Sequence, residues 1–543
     1  MPPQACDACK RRKVKCDSTQ PCGTCRVSNI SCRYTTVPRK RGPKVARRAE
    51  GIEVSPRSMD FRQDQLGDRH LQDQSHTPTS TNGGSDYSSR EWSSPDTVRV
   101  YSPGLEASNL IQPTSSKPQL VWGKLLNSIS TALPSIPILD LVDSCIDTYL
   151  QYSFPICPII HEPSLRRYNR ELFSPQSTPF LFASTDEYEQ VIPMRAFTEL
   201  AALCAAVCSI TPSALLPGRN LAVHPFLEAA RDMLHLYEDF DLEYPDSSSL
   251  FIRLFLSSCL QHTTGKTGAS WSIFSQAAVL VRRMRLYDEK AVIRNDPVET
   301  YLLRSRFWQL YVSDQAATLM QNRVVVLRES LLEGELTLDS LGGHVPDLLD
   351  TENARHQNSF QQRILSTHEL LKRLWFSAAD LMTWMQKYAR DQDIYEKKFQ
   401  ESQKSRMVEN FLRFTSMVDD LPPWLESPTS FEFSDDKDVL SYQRTSFIVQ
   451  RSAVMLGFHC WRLVLIERAV EYKLTDIVGL YDQELAIAMK KTEVIHDFLS
   501  EAKTTPLLCI QAQGEPMVGI TMQEASLTSN LLDNLGRKVQ ESW

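Results

Sequence analysis

The sequence predicts a mostly α-helical protein in three parts: a small cysteine-built module at the N-terminus, a disordered linker and a large all-α body. Three observations predict it. Six of the 13 cysteines crowd into Cys6–Cys32. Residues 51–118 are rich in Ser, Thr, Asp, Gln and Pro, as in HTPTSTNGGSDYSSREWSSPD. Beyond Leu120 the apolar residues recur at helical spacing, and strand-like alternation is hard to find.

The N-terminal module rests on its cysteine spacing. Cys6, Cys9 and Cys16 follow C-x2-C-x6-C, and after the link DSTQP the same pattern returns in Cys22, Cys25 and Cys32. One pattern used twice implies a pseudo-twofold pair of short helix-plus-loop units. C-x2-C lets two thiolates converge at a turn or helix start, and the third returns from the following loop. Six thiolates are too many for one tetrahedral zinc ion and too few for two separate four-thiolate sites. Two zinc ions need eight coordination places; four terminal thiolates supply four and two bridging thiolates supply two each. No histidine precedes His70. The competing readings are a disulfide scaffold, a RING, LIM or ribbon module, and an iron–sulfur site. The start MPPQACDACKRRK lacks the apolar core of a secretory signal, which disfavours disulfides. The second group needs eight ligands or a four-cysteine layout, and the third leaves the neighbouring basic run unexplained.

That run is Lys10-Arg11-Arg12-Lys13-Val14-Lys15, between Cys9 and Cys16. Alone it would read as a solvated face. Between metal ligands, on a short helix, it reads as a surface for the DNA major groove. Charge is divided accordingly. Five Lys and eight Arg against two Asp and one Glu give residues 1–50 a net +10. With −7 for the whole chain, the remaining 493 residues carry −17. A basic end on an acidic body predicts that the end alone meets a polyanion.

Residues 6–32 resemble the fungal Zn2Cys6 binuclear-cluster domain of zinc-cluster transcription factors, whose spacing they share at all six cysteines. The resemblance implies two zinc ions per chain, with Cys6 and Cys22 as the bridging ligands, and Pro21 matches the family's loop proline. It also implies that the helix after Cys9 reads a CGG-like triplet near its C-terminal end. By position, Arg12 and Lys13 are then the base readers. Lys10, Arg11, Lys15 and Arg26 meet phosphates. A second basic run, Arg39, Lys40, Arg41, Lys44, Arg47 and Arg48, suits a linker that follows the DNA backbone, nuclear import, or both. The domain boundaries implied are 1–35 for the cluster, 36–50 for the basic linker and 51–118 for disorder. The helical regulatory body is placed at 119–510 and a C-terminal tail at 511–543.

No heptad coiled coil follows the cluster: Pro38, Pro43 and Pro56 interrupt the first stretch, and the linker lacks apolar a and d positions. Monomeric binding, or a homodimer through the helical body, is expected. The linker cannot bury enough apolar surface to offset its ordering entropy.

Order is expected from about Leu120 and Val121. Helices are predicted over Asp140–Gln151, Ser272–Tyr287, Leu302–Leu319, Ile364–Trp384 and Thr445–Val470, from apolar residues three and four apart. Leu200–Ile210 reads as a buried helix, and no apolar run approaches the ~20 residues that span a bilayer. An intracellular, nuclear protein without a membrane partner is expected. The polar stretches 329–358 and 421–438 read as connections, and the seven scattered cysteines as core residues.

The body resembles the fungal-specific transcription factor, or middle homology, domain over roughly residues 145–330. The resemblance lies in Tyr149–Pro155 with Pro158–His161, in Trp271 with Ala277–Leu286, and in Arg304–Asp314. One departure is Gln321-Asn322-Arg323-Val324, where the family has a Gly-Arg-Pro turn. Asp314 sits on an apolar stripe and needs a partner; Arg304 or Arg323 is the expected one. Arg304, Trp308 and Asp314 read as packing and a buried ion pair rather than a ligand site. The acidic, hydrophobic segment Met417–Glu426 is like an activation segment, but the favoured reading is a loop of the body; the tail is another activation candidate.

Enzymatic motifs fail on inspection. Gly265-Lys266-Thr267 lacks the first glycine of a phosphate loop, since position 260 is Leu260; Gly268–Ser272 lacks the closing glycine of a nucleophile elbow. The expectation is therefore a non-enzymatic, zinc-dependent, sequence-specific regulator of RNA polymerase II genes that works with the transcription machinery or co-regulators. A secondary-metabolite gene cluster is the favoured target. Nutrient-utilisation genes, and a zinc module that does not bind DNA, are the alternatives.

Overall fold

A computed structural model describes residues within 6–33 and 116–513; residues 34–115 and 514–543 lie outside it, as do shorter stretches including 13–15, 27–31, 320–324 and 328–344. The basic run Arg39–Arg48, the linker to residue 115 and the C-terminal tail therefore fall outside the described residues. The chain divides into two compact units, Met1–Glu106 and Ala107–Trp543. In the first, helix α1 spans Asp7–Arg12.

The second unit is helical throughout its described residues. Its first half comprises α2 (Lys117–Ala132), α3 (Ile138–Thr148), α4 (Glu162–Phe173), α5 (Glu187–Ile210), α6 (Arg219–Glu243), α7 (Ser247–Thr264) and α8 (Thr267–Arg283). There follow α9 (Glu289–Val292), α10 (Pro297–Leu319), α11 (Phe360–Tyr395), α12 (Glu401–Ser416), α13 (Pro423–Glu426), α14 (Lys437–Glu471), α15 (Glu484–Thr504) and α16 (Leu507–Gln511). No strand occurs among the described residues. All five predicted helices are present, most of them longer than predicted. α3 stops at Thr148 and continues as a π-turn, Tyr149–Ser153. α8 ends four residues early, where Arg285 adopts φ +55° and the Leu286 amide reaches back to the Val281 carbonyl.

The first helix of the body begins at Lys117, three residues before Leu120. The Gln119 side chain accepts the Ser116 amide, and Pro118 occupies the first turn, where a missing N–H costs nothing. These polar capping residues have linker composition, which is why residues 116–118 read as disordered.

α5 is the central helix and packs against α3, α6 and α7. Ala201, Ala202, Ala205 and Ala206 are buried along it and let its neighbours approach closely. It is the one described helix long and apolar enough to cross a membrane, yet 83% of its most apolar window lies inside the fold. A second core forms where α11, α12 and α14 meet, with Trp375 and Trp461 edge-on at 5.3 Å. Six of the seven scattered cysteines are buried and Cys157 is half-buried.

Side chains from distant helices hold the turns between α3 and α4. Gln450 of α14 donates to the carbonyls of Pro155 (2.7 Å) and Ile364 (2.9 Å). Tyr149 donates to the Cys157 carbonyl at 2.6 Å. Segment Met417–Glu426 packs against the body as a turn followed by the short helix α13: Leu425 is buried, Trp424 donates to Thr367 Oγ1, and Arg451 donates to the Leu425 carbonyl.

One expectation is corrected. Arg304 pairs with Glu289 of α9. Asp314 instead accepts the backbone amides of Val326 and Leu327, each at 2.7 Å. Ten residues along α10 separate Arg304 from Asp314 by about 15 Å of rise, beyond the joint reach of the two side chains. Arg323 lies outside the described residues. Trp308 is buried against Phe307, Tyr311 and Phe376, a packing role.

Gly218 precedes α6 with φ +81°, and a Cβ there would stand 2.8 Å from Leu133 Cδ2. Gly218→Ala is expected to destabilise the chain by about 1–2 kcal/mol, the cost of a side chain in the left-handed region, as a lowered urea midpoint.

Candidate metal centre and nucleic-acid interface

The N-terminal unit is built around sulfur. Cys6, Cys9, Cys22 and Cys25 are buried, and their four Sγ atoms lie within 4.8 Å of one another. Cys6 Sγ stands 3.8 Å from Cys22 Sγ and 3.5 Å from Cys25 Sγ, and Cys9 Sγ stands 3.6 Å from Cys22 Sγ. These are not disulfide distances; every cysteine is free. They match the edge of a zinc–thiolate tetrahedron, roughly 3.8 Å for zinc–sulfur bonds of ~2.3 Å.

The two halves repeat each other in detail. The Cys9 amide reaches Cys6 Sγ and the Cys25 amide reaches Cys22 Sγ, both at 3.4 Å. The Cys6 amide reaches Cys16 Sγ at 3.5 Å, and the Cys22 amide reaches Cys32 Sγ at 3.3 Å. The Lys10 and Arg26 amides donate to the Cys6 and Cys22 carbonyls, each at 2.9 Å. The pseudo-twofold relation implied by the spacing is therefore present in the backbone. Cys6 and Cys22 occupy its centre, each near the other and near a cysteine of the opposite half.

Electrostatics agree with a cation-binding set. The Cys9 amide draws the Cys6 thiol down to about 6. Burial, followed by the neighbouring thiols, pushes Cys9 upward and Cys25 to about 12. Thiolates this close repel one another unless positive charge lies among them.

The link between the halves is a turn. Asp17 Oδ1 accepts the amide (3.1 Å) and hydroxyl (2.9 Å) of Thr19, Ser18 adopts φ +61°, and the Gln20–Pro21 bond is cis. Asp17 lies within reach of the Cys16 and Cys22 sulfurs and was not singled out from sequence. Its local hydrogen bonds assign it to the turn. The ends are tied by the Asp7 amide, which donates to the Arg33 carbonyl at 2.8 Å.

Of the cationic residues, Lys10, Arg11 and Arg12 lie on α1, and Lys10 is exposed, as is Arg26 in the second half. Lys13 and Lys15 fall outside the described residues. The weighed phosphate loop is ruled out locally: Gly265 ends α7 with φ +61° and Thr267 opens α8, a corner between helices rather than a strand-to-helix loop.

Sequence reasoning missed a second polar constellation, in the body. Arg306 is buried and stacks on Phe251 at 4.7 Å. It donates to Glu199 (2.8 Å), to the Ile159 carbonyl (3.0 Å) and to Ser247 Oγ (3.0 Å). Asp241, also buried, holds Arg253 at 2.6 Å and Arg195 at 2.8 Å. The partners lie as far apart in sequence as Ile159 and Arg306, so no local pattern announces them.

Comparison with known proteins agrees with the geometry. Residues 4–41 match the family model described as the fungal Zn(2)-Cys(6) binuclear cluster domain. The chain is 50% identical to a maltose fermentation regulatory protein of Saccharomyces cerevisiae over 44 residues, 8% of this chain and 9% of that one. It is 24% identical to a citrinin biosynthesis transcriptional activator of Monascus ruber over 350 residues, 61% of this chain and 62% of that one. It is 54% identical to an abscisic acid cluster transcription factor of Leptosphaeria maculans over 41 residues, 7% of each chain. The chain thus spans under a tenth of the first and third relatives and under two thirds of the second. No solved structure matches it. The N-terminal segment, residues 4–41, is a fungal Zn(2)-Cys(6) binuclear cluster domain, a module that holds two zinc ions on six cysteines.

Proposed function

We propose that the chain is a nuclear, zinc-dependent transcription factor that binds CGG-like sites and regulates RNA polymerase II genes of a secondary-metabolite biosynthetic cluster. The observation that carries this reading is a cationic helix, α1, held between thiols of a two-zinc centre. Cys6 and Cys22 bridge, and Cys9, Cys16, Cys25 and Cys32 are terminal ligands. Zinc supplies the crosslinks that keep so short a segment folded. The chain's own residues do the rest. Lys10, Arg11, Lys15 and Arg26 meet phosphates, while Arg12 and Lys13 reach guanine O6 and N7. Arg39, Lys40, Arg41, Lys44, Arg47 and Arg48 follow the backbone beyond the triplet and serve nuclear import.

The regulon follows from where similarity extends. The maltose regulator is similar over 44 residues alone, about the length of the cluster domain, whereas similarity to the citrinin activator spans 350 residues and so extends into the body. This favours metabolite genes over nutrient genes. The body, read as a middle homology domain, serves co-regulator contact and homodimer formation.

A mobility-shift titration tests the reading. Wild-type chain is expected to prefer a CGG-bearing duplex over a scrambled one. Lys13→Ala should cost ~1–3 kcal/mol on the CGG duplex and little on the scrambled one. Lys10→Ala should weaken both equally and lower the salt slope by about one. Equal losses on both probes for Lys13→Ala would refute base reading, and a wild type without preference would favour a zinc module that does not read DNA.

A further inference from the structure

The body contains a cavity of about 130 Å³ bounded by the end of α3, the π-turn Tyr149–Ser153, α4, the short turn Ala354–His356 and α14. It is well below the roughly 300–1,000 Å³ of drug-sized pockets, yet several times the ~10–15 Å³ that one water needs, so its occupant is a small molecule. A single π-turn in a helical run is rare and frequently marks a functional site. The wall includes Asp147, Arg166, Asn353, Arg355, His356 and Tyr442. Two of these are more than nine-tenths buried and keep a polar atom without a partner. Tyr442 is 7% exposed, and its hydroxyl makes no hydrogen bond among the described residues. Burial raises the phenol, so it stays protonated and can donate. His356 is 8% exposed, and burial lowers it, so the ring is neutral. Its Nδ1 donates to the Asp350 carbonyl at 3.1 Å, with Glu162 Oε2 at 3.4 Å from the same nitrogen. That fixes Nε2 as an acceptor, and it has no partner among the described residues.

The charged groups of the wall are unequally matched. Arg166 commits all three nitrogens, to Glu162, Asp143 and Asp147. Arg355 commits only Nε, to Asp438 at 2.9 Å, and its guanidinium lies 5.4 Å over the Tyr442 ring. Its two terminal nitrogens are free among the described residues. Asn353 Oδ1 accepts the Arg355 amide, which leaves Nδ2 to donate. Asp147 accepts Arg166 on one oxygen only. A simple anion would meet Arg355 but also Asp147, with Asp438 on the same guanidinium. A simple cation would meet Arg355 itself. A ligand that carries both charges suits the donors and the acceptors together.

We infer that the cavity between α3, α4 and α14 binds a small zwitterion, an α-amino acid with a short side chain. Its carboxylate seats on the terminal nitrogens of Arg355 and the Tyr442 hydroxyl. Its ammonium donates to His356 Nε2 and to the second oxygen of Asp147. Nothing in this assignment depends on DNA binding by the N-terminal cluster.

Isothermal titration calorimetry of the zinc-loaded full chain tests it, with L-alanine and L-serine as probes. L-lactate, which lacks the ammonium, and L-alaninamide, which lacks the carboxylate, are the counterparts. Saturable one-to-one binding of at least one amino acid is expected, with both counterparts at least tenfold weaker. Tyr442→Phe removes a hydroxyl that bonds to nothing among the described residues, so it should fold as wild type does and weaken the amino acid severalfold. Arg355→Gln changes a half-exposed side chain and should weaken it tenfold or more. No saturable binding of either amino acid, equal affinity for either counterpart, or unchanged affinity in either variant would each overturn the assignment. DNA binding, read separately by mobility shift, reports on the cluster alone.

Discussion

Cys6→Ala is expected to reduce the zinc content of the full chain from two ions to one or none and to abolish specific DNA binding. Cys6 Sγ lies at the centre of the pseudo-twofold set, 3.8 Å from Cys22 Sγ and 3.5 Å from Cys25 Sγ. As a bridging ligand it serves both metal ions, so its loss removes two of eight coordination bonds. Structural zinc supplies about 10–16 kcal/mol to small modules of this kind, far more than so short a segment gains by burial. Cys22→Ala should behave identically, by symmetry. Cys157→Ala, half-buried in the helical body, should keep both ions. Native mass spectrometry under reducing conditions counts the zinc directly; two ions retained in Cys6→Ala would refute the bridging assignment.

The second large effect is expected in the body. Asp241→Ala should cost about 3–5 kcal/mol, read as a lowered urea midpoint of the full chain, because it leaves buried guanidinium charge without its partner. Asp241 and Arg253 are both 0% exposed and 2.6 Å apart, and Arg195 and Ser249 share the same carboxylate. The loss approaches the whole stability of a marginal domain, typically 5–15 kcal/mol. Glu228→Ala removes a surface partner of Lys124, where both side chains are more than half exposed, and should change stability by no more than about 0.5 kcal/mol. Similar losses for the two variants would show that the buried network does not govern the fold.

Helix positions were legible because burial leaves a periodic trace. Apolar residues such as Leu303, Phe307 and Leu310 recur where α10 faces the core. Helix ends were less legible, since polar residues interrupt the apolar stripe there while the hydrogen-bonded backbone continues, even where single residues such as Met385 and Val439 are still buried. α11 runs to Tyr395 although its predicted stripe ended at Trp384, and α14 begins at Lys437 although its stripe began at Thr445. The Asp436 side chain, which accepts the Asp438 and Val439 amides, starts α14. Asp314 was read as needing a partner, Arg304 or Arg323; Arg304 pairs with Glu289 instead, and Arg323 lies outside the described residues. Asp314 also accepts two backbone amides twelve and thirteen residues on, and backbone amides carry no residue-type signal.

By itself the sequence determined the zinc stoichiometry, the pseudo-twofold layout and the cationic helix, because six cysteines within one short loop-and-helix segment meet through local chain geometry. Only the tertiary structure decided that Glu199 and Arg306, Asp241 and Arg253, and Gln450 and Pro155 are partners. Those contacts join residues up to 295 positions apart, and what brings them together is the packing of helices around α5, a property of the whole core.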